Sequence, residues 1–445
     1  MEQKKSYILP IIMMFALFAM ISFVTGLTNP LGVIVKHQFA LPNWMSQLGN
    51  AANFIAYFFM GLPAGLMLKR IGYKKTALAA IAVGFIGVGV QFLAGRTGSG
   101  DGTSFAPFYV YLVGAFISGF SMCMLNTVVN PMLNTLGGGG KRGNQLIQFG
   151  GSLNSISATI VPVLVGYLMG DVAKARLSDA APALFIAMGI FAVAFIVLWL
   201  MQIPEPYALE EKKDANDKYG PMSFRHFVLG TVAIFIYVGV EVGIPNFINL
   251  FLTSARDGAS GAVGMGLDTA IAGSVVGTYW FLMMCGRLLG GLVGAKVSSR
   301  AQISFVSALA IIFVLIGIFA PTTATVSMPV FRSDISFGLA SVPVGVVFFV
   351  LCGLCTSVMW GGLFNLAVEG LGKYTSVGSG IFMVMVCGGG ILPLIQGYVA
   401  DLAGYLASYW VIILCLCYIL YYALVGSKNV NKDIPVSYTH LTLRR

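Results

Sequence analysis

The chain has 445 residues, of which 58% are hydrophobic and only 9% are charged, and its mean hydropathy is +0.88. Soluble domains carry about 25% charged residues, so this composition excludes an ordinary soluble fold, and it equally excludes a charge-rich disordered chain or coiled coil. The net charge of +10 would suit a nucleic-acid partner, but the basic residues lie in short clusters between apolar runs, the arrangement that orients a membrane protein. We therefore expect an all-α membrane protein with no nucleic-acid partner.

Apolar runs long enough to cross a bilayer recur along the whole chain, since a spanning helix needs about 20 mostly apolar residues. Lys4 and Lys5 precede the first run, which is too long for a signal-peptide core and lacks a small-residue cleavage pattern, so we expect a retained first helix. Twelve spans are predicted, at 8–35, 45–67, 77–95, 107–136, 144–169, 182–203, 226–253, 268–294, 302–320, 337–368, 374–400 and 405–425.

A polar segment near the middle of the chain separates two sets of six predicted spans. The two sets resemble each other: residues 160–167 (IVPVLVGY) in span 5 match residues 391–398 (ILPLIQGY) in span 11, which indicates an internal duplication. The last ten residues, 436–445, are interpreted as a non-native extension. The predicted organisation is an N-terminal half at 1–203, a central loop at 204–224, a C-terminal half at 225–428 and a tail at 429–445.

The distribution of Lys and Arg over alternate loops predicts the orientation. With the N-terminus inside, the inner segments hold seventeen basic residues and the outer segments six. We therefore expect a multi-pass protein of the cell (inner) membrane, monomeric in the lipid bilayer, with both termini cytoplasmic. The six outer residues are Lys36, Arg96, Lys174, Arg176, Arg256 and Arg332.

Glu241 in span 7 is the one carboxylate well inside an apolar run. Placing a charge at that depth costs about 2.5–3.5 kcal/mol on insertion scales, so such residues usually face a cavity. Pro245 cannot donate to the carbonyl of Glu241, and we expect the helix to be broken beside the acid, with Asn246 following. Glu241 is predicted to bind substrate or a coupling ion; the alternative is a carboxylate satisfied by neighbouring helices.

Amide side chains form stripes on several spans. Asn126 and Asn130 lie one turn apart in span 4, and Gln148 belongs to a polar stripe in span 5. Asn29 lies on a shorter stripe in span 1. Polar contacts between helices, worth only about 0.6 kcal/mol each, are the alternative explanation. Because amides both donate and accept, stripes in several spans favour a neutral, polyhydroxylated ligand.

Four further residues complete the candidate site. Trp280 in span 8 and Trp360 in span 10 lie away from the membrane interfaces, where an indole can stack on a sugar ring, although core packing explains each equally well. Asn365 lies close to Trp360 and is a further candidate. Arg287, near the inner end of span 8, is predicted to be a structural or gating charge.

Catalytic and metal-binding patterns are weak. Cys352 and Cys355 form a CxxC, but no second pair accompanies them, and the three histidines lie in loops or at helix ends. The glycine run 137–140 before Lys141 follows no strand and lacks the spacing of a phosphate loop. We therefore expect no metal, no cofactor and no enzymatic activity.

The loop after span 2, GLMLKRIGYKK at 65–75, resembles the loop signature of the major facilitators, with Lys69 where most members have Asp. Arg70 and Gly72 belong to the same signature. We predict a structural or gating role for Lys69, Arg70 and Gly72. Segments 364–375 and 388–401 resemble the fucose–galactose–glucose symporter family, as does 237–241. The resemblance implies twelve helices in two pseudo-symmetric halves that rock around a midplane site, and transport of a neutral sugar such as glucose, galactose or fucose.

Two positions depart from the family pattern. Proton-coupled members carry an Asp where this chain has Asn29 and a Glu where it has Asn126, and neither amide can titrate. The family comparison also implies sugar contact for Gln148. We therefore predict that coupling to a proton or sodium ion, if any, depends on Glu241. The sugar, the coupling ion and the direction stay open, and an exporter of amphipathic compounds or a non-transporting receptor is the alternative.

Overall fold

The computed structural model is a bundle of long helices, and it describes residues 8–39, 48–97, 104–169, 175–203, 205, 219–254, 256, 263–294, 296–332, 336–431 and 433–434. The predicted tail extension 436–445 and most of the predicted central loop lie outside these residues. Within them, nine helices are long and apolar enough to span a membrane, and Ile8–Val24 is a shorter apolar stretch at the start of a further helix.

Twelve helical segments, numbered α1 to α12, correspond to the twelve predicted spans. α2 and α3 form one run, Leu48–Ala94, interrupted by non-helical angles at Gly72, so α2 covers 48–71 and α3 covers 73–94. α10 and α11 each consist of two pieces, a and b. The bounds are α1 Ile8–Gln38, α4 Ala106–Leu136, α5 Gly140–Met169, α6 Ala181–Leu200, α7 Arg225–Thr253, α8 Thr269–Gly294, α9 Ser299–Phe319, α10a Val344–Thr356, α10b Met359–Val368, α11a Thr375–Val384, α11b Gly388–Ala403 and α12 Tyr405–Tyr421.

The run that contains α2 and α3 doubles back on itself at Gly72. A Cβ added to Gly119 of α4 would meet the Cα of Asn53 in α2 at 2.9 Å. One residue earlier in α4, the backbone nitrogen of Ser118 would lie 2.6 Å from a Cβ added to Gly87 of α3. Residues 53 and 87 reach the same level of α4 only if α2 and α3 run in opposite directions, so the run is two spans, consistent with a count of twelve.

The connection between α9 and α10 is a β-hairpin that the sequence prediction missed. Strands β1 (Thr325–Phe331) and β2 (Phe337–Pro343) pair antiparallel, from Thr325 opposite Pro343 to Phe331 opposite Phe337. Exposed and buried side chains alternate over residues 327–330 of β1 and 339–342 of β2, which is the period of a strand and not of a helix. The predicted start of span 10 at 337 is therefore wrong, and α10a begins at Val344.

Contacts between the two halves concentrate at one end of the bundle. At this end lie the Gly72 turn, the α4–α5 turn and the α8–α9 and α10–α11 connections, and we call it the basic face because these segments carry most of the predicted inner Lys and Arg residues. α2 meets α11a so closely that a Cβ added to Gly380 would lie 2.7 Å from the Cα of Gly65. α5 meets α8 beside Phe149, whose ring would lie 2.7 Å from a Cβ on Gly291. The basic face is closed.

The loop with the facilitator-like signature is tied to the segment after α6. Gly72 has φ 83° and ψ 176°, a conformation that is essentially restricted to glycine. Directly after it, the backbone nitrogens of Tyr73 and Lys74 donate to the two carboxylate oxygens of Glu205, at 2.6 and 2.9 Å. A carboxylate at the start of α3 satisfies unpaired donors and complements the helix dipole. Gly72 thus has a structural role in this turn.

Replacing Gly72 with Ala is expected to lower the thermal stability of the purified protein. The backbone conformation alone costs about 1–3 kcal/mol for a non-glycine residue, and the new methyl would meet Glu205 Oε2 at 2.6 Å. Gly138→Ala is the matched control, because Gly138 also has a positive φ of 75° but has nothing within 4 Å of an added Cβ. Thermal unfolding in detergent measures both; equal midpoints for the two variants would contradict the role of Glu205.

Candidate functional site

α7 carries the membrane-embedded acid Glu241 toward the middle of the bundle. The helix is continuous through Pro245, so the predicted break beside the acid is wrong. Pro245 lacks an N–H and leaves the carbonyl of Glu241 without its helical donor. The hydroxyl of Tyr279 in α8 takes that place, with an oxygen-to-oxygen distance of 3.3 Å. A neighbouring helix therefore provides the missing donor, and α7 needs no break.

The carboxylate of Glu241 pairs with Arg287 of α8, with 3.0 Å between Oε1 and Nη2. The two side chains are only 15% and 11% exposed. A buried charge pair of this kind is sensitive to the loss of either partner, because the remaining charge would be buried without compensation. The predicted gating charge and the predicted coupling acid are therefore one unit.

Arg287 also reaches across to the other half of the molecule. Its Nη1 donates to the hydroxyl of Ser155 at 2.7 Å and to the carbonyl of Gly151 at 3.2 Å, and both acceptors belong to α5. One guanidinium thus connects the acid of the C-terminal half to a helix of the N-terminal half. The planar, multiply donating guanidinium is suited to such a bridge.

A second polar connection between the halves runs through the asparagine stripe of α4. The amide of Asn126 donates to the hydroxyl of Tyr57 in α2 at 2.9 Å. The amide of Asn130 donates to the backbone carbonyl of Asn126 at 2.8 Å, and its oxygen accepts from the indole of Trp360 in α10b at 3.1 Å. The two predicted asparagines and the predicted tryptophan therefore form one chain, with neutral donors and acceptors only.

Aromatic rings surround the C-terminal end of this chain. The Trp360 ring packs against Tyr237 of α7, at 6.4 Å between centroids, and against Phe382 of α11a, at 6.2 Å. The Tyr237 hydroxyl is buried one turn before Glu241. Tyr237 thus lies between the Glu241–Arg287 pair and the hydrogen-bonded series that ends at Trp360.

Trp280 lies on the same face of α8 as Arg287, two turns away. Its ring is 40% exposed and meets the edge of Tyr279 at a centroid distance of 5.3 Å. Because the halves are closed at the basic face, an exposed indole on this side of Arg287 lies toward the opposite end of the bundle.

A proline inside α4 frees a carbonyl that also forms a contact between the halves. Pro131 leaves the carbonyl of Thr127 without its helical donor, and the hydroxyl of Ser379 in α11a donates to it at 3.2 Å. Thr127 and Ser379 are fully buried. This hydrogen bond belongs to the closed basic face, close to the α2–α11a crossing.

Other predicted site residues lie outside this cluster. Gln148 donates to the carbonyl of Val358, at the interruption between α10a and α10b, at 2.8 Å, so it also joins the halves. Asn365 donates to Ser299 at the start of α9, at 2.9 Å, near the basic face. Asn246 is exposed on α7, and the side chain of Asn29 in α1 is outside the described residues. Lys69 and Arg70 are exposed at the end of α2.

Several contributors were not predicted from the sequence. No site role was predicted for Glu205, Ser379 or Tyr279. Each has its partner on a distant part of the chain: Glu205 lies 132 positions from Tyr73, Ser379 lies 252 from Thr127, and Tyr279 lies 38 from Glu241. The prolines were the available signal, since each marks a carbonyl that needs a donor from another helix. Groups of three or more His, Cys, Asp or Glu side chains that could hold a metal are absent among the described residues.

Comparisons with known proteins place the chain among transporters. The profile described as Major Facilitator Superfamily matches residues 13–392. A glucose/galactose transporter of Brucella abortus (strain 2308) is 30% identical over 438 residues, which is 96% of each chain. The L-fucose-proton symporter of Escherichia coli (strain K12) is 23% identical over 460 residues, 97% of this chain and 96% of that protein.

Solved structures have the same fold. The crystal structure of FucP, a major facilitator transporter in the outward conformation, superposes with a TM-score of 0.77 at 20% identity, over 96% of this chain and 100% of that one. The proton:xylose symporter XylE, bound to 6-bromo-6-deoxy-D-glucose, gives a TM-score of 0.70 at 15% identity, over 98% and 97% of the two chains.

Proposed function

Because the chain belongs to the major facilitator superfamily and, within it, to the fucose–galactose–glucose symporter family, we propose that it moves a neutral hexose or deoxyhexose across the membrane by alternating access. The family and the facilitator fold predicted from the sequence are confirmed, and the protein is a multi-pass membrane protein. Transport rather than catalysis is its activity, with the two halves, 1–203 and 225–428, as the moving parts.

The observation that carries the proposal is the uncharged chain from Tyr57 through Asn126 and Asn130 to Trp360. Amides and hydroxyls that both donate and accept are suited to sugar hydroxyls, and the indole and Tyr237 add flat apolar surface. This series of hydrogen-bonded side chains crosses from one half of the molecule to the other. A midplane substrate site is expected at that boundary between the halves. Asn29, Gln148, Asn246, Trp280 and Asn365 are proposed as further contacts, and Lys69, Arg70 and Gly72 as structural or gating residues.

The buried pair of Glu241 and Arg287 supports coupling to a cation. Asn29 and Asn126 cannot titrate, so the carboxylate of Glu241 is the proposed binding group for a proton or a sodium ion. The excess of basic residues supports a cytoplasmic location for the basic face, with both termini on that side of the inner membrane. In that orientation the structure is closed toward the cytoplasm. A monomer in the bilayer suffices for this mechanism.

Uptake into proteoliposomes tests the proposal. Purified protein would be assayed with radiolabelled D-glucose, D-galactose and L-fucose, each with a proton gradient, with a sodium gradient and with neither. We expect saturable uptake of at least one sugar, competed by unlabelled sugar. Binding of a sugar without any uptake would favour a receptor, and uptake of amphipathic compounds without any sugar would favour an exporter; either result would overturn the proposal.

Replacing Trp360 with Phe is expected to raise the KM for the transported sugar about tenfold. The Phe ring keeps the packing against Tyr237 and Phe382 but removes the indole N–H that donates to Asn130 and orients its amide toward the sugar. A hydrogen bond of this kind is worth about 0.5–1.5 kcal/mol, and the upper end corresponds to about tenfold in binding. Trp410→Phe is the control, because Trp410 is 46% exposed on α12 and packs on Phe319. Initial rates of uptake measure both variants, and an unchanged KM for Trp360→Phe would remove this residue from the site.

A further inference from the structure

Arg287 is placed where movement of the two halves and the charge of Glu241 meet. Its Nη2 contacts the Glu241 carboxylate at 3.0 Å within the C-terminal half, and its Nη1 contacts Ser155 and Gly151 of the N-terminal half at 2.7 and 3.2 Å. Opening of the basic face separates α5 from α8, since these helices cross at Phe149 and Gly291 on that face. The two Nη1 bonds must then break, whereas the Nη2 bond can persist.

The ion pair holds the guanidinium in the orientation that reaches α5. Charge-assisted hydrogen bonds are shorter and stronger than neutral ones, so the carboxylate is the dominant anchor of the Arg287 head group. With that anchor in place, the Arg287 side chain is already ordered, and Nη1 can donate to two acceptors of α5 with little further loss of conformational entropy. Without it, a long flexible side chain would have to be ordered for two neutral acceptors alone, and the contact between the halves would weaken.

We infer that Arg287 is a latch: it holds the basic face closed while the Glu241 carboxylate is paired with it and binds no other cation. A proton or metal cation that binds to Glu241 releases Arg287. The inference rests on the proposed coupling role of Glu241. A proton or sodium ion from the open side neutralises the carboxylate and competes with the guanidinium, which stays a cation throughout. Arg287 then loses its anchor, the Ser155 and Gly151 contacts weaken, and the basic face opens. The cation leaves on that side, and the pair forms again.

The latch explains how an ion could drive the cycle in a chain with amides at positions 29 and 126. The acid lies in α7, the mobile charge in α8 and the acceptors in α5, so one event in the C-terminal half changes the contact with the N-terminal half. Arg287 is in this sense a positioning residue that acts through the contact between the halves. It needs no contact with the sugar.

Distance measurements between spin labels on the basic face test the latch. Labels are placed at the exposed positions Arg142, in the N-terminal half, and Lys428, in the C-terminal half, after replacement of the seven native cysteines by alanine. The populations of the short, closed distance and the long, open distance are compared without sugar and at fixed pH. Ser155→Ala, Glu241→Gln and the double variant are each measured against the parent.

Ser155→Ala is expected to raise the ratio of open to closed molecules about tenfold, the effect of losing one hydrogen bond to a charged group. Glu241→Gln is expected to raise it at least as much. The double variant is expected to exceed Glu241→Gln by much less than tenfold, because the contact between Ser155 and Arg287 is already weakened when the carboxylate is lost. Ser152→Ala is the matched control, since its hydroxyl donates to the Gln148 carbonyl within α5, and it is expected to leave the ratio unchanged.

Two results would overturn the latch: an unchanged ratio in Ser155→Ala, or effects of the two substitutions that simply multiply in the double variant. The measurement needs no transported substrate. If no sugar is carried but the distances respond as described, the latch stands and the proposed substrate fails. If a sugar is carried but the distances do not respond, the latch alone fails.

Discussion

Replacing Glu241 with Gln is expected to abolish accumulation of sugar against its gradient while leaving exchange of sugar across the membrane in place. The amide keeps the size and much of the hydrogen bonding of the side chain, but it carries no charge, takes up no proton and offers a sodium ion only a neutral oxygen. In the proposed mechanism, exchange uses the neutral hydrogen-bonded series from Tyr57 to Trp360 and needs no charge at position 241. Gradient-driven uptake and counterflow, measured in the same proteoliposomes, separate the two activities.

The loss should be large, because Glu241 is the one carboxylate well inside an apolar run, and no second acid of that kind can take over its role. Glu369→Gln is the control, since Glu369 is exposed at the end of α10b. This variant is expected to accumulate sugar like the parent. Accumulation that persists in Glu241→Gln would remove the coupling role, and loss of both accumulation and counterflow would indicate a structural role instead.

Replacing Gly380 with Ala is expected to prevent full closure of the basic face and to reduce uptake about tenfold or more. The new methyl would meet three backbone atoms of α2: Gly65 Cα at 2.7 Å, Gly65 N at 2.8 Å and the Gly61 carbonyl oxygen, which is closer still. Backbone cannot move aside like a flexible side chain, so the two helices must separate. Overpacking of this kind costs about 1–3 kcal/mol, which is enough to reverse a conformational balance.

Gly390→Ala provides the comparison at the same pair of helices. An added Cβ there would lie 3.9 Å from Phe54 of α2, an ordinary contact, so its uptake should stay near that of the parent. Spin labels on the basic face should show the open distance in Gly380→Ala only. Parent-like uptake and a closed basic face in that variant would mean that the α2–α11a crossing does not limit closure.

The helices and their order were predictable because a bilayer forces about 20 apolar residues into each span, and composition alone reveals such runs. The hairpin was not predictable by the same count. Residues 337–343 are apolar enough to extend a span, and only the alternation of Ala340 and Val342 with exposed neighbours distinguishes a strand from a helix start. A short apolar run is ambiguous between the two.

Individual site residues were predictable where a polar group is out of place in an apolar run. Glu241 and Asn130 were visible for that reason, and the structure gives each a partner on another helix. The partners themselves were not predictable, since pairing depends on how helices far apart in sequence are rotated and packed. For the same reason the sequence could name Arg287 as a gating charge but not its contact with Ser155.

The hydrogen bond from Ser379 to the Thr127 carbonyl has a consequence for water. Thr127 lacks its helical donor because of Pro131, so its carbonyl depends on a hydroxyl that belongs to the other half of the molecule. When the halves part at the basic face, that carbonyl exchanges the hydroxyl for a water molecule at little net enthalpy. In the proposed alternating-access cycle, hydration of a backbone group of α4 therefore accompanies opening of the basic face, and we expect the ratio of open to closed molecules to depend on the activity of water.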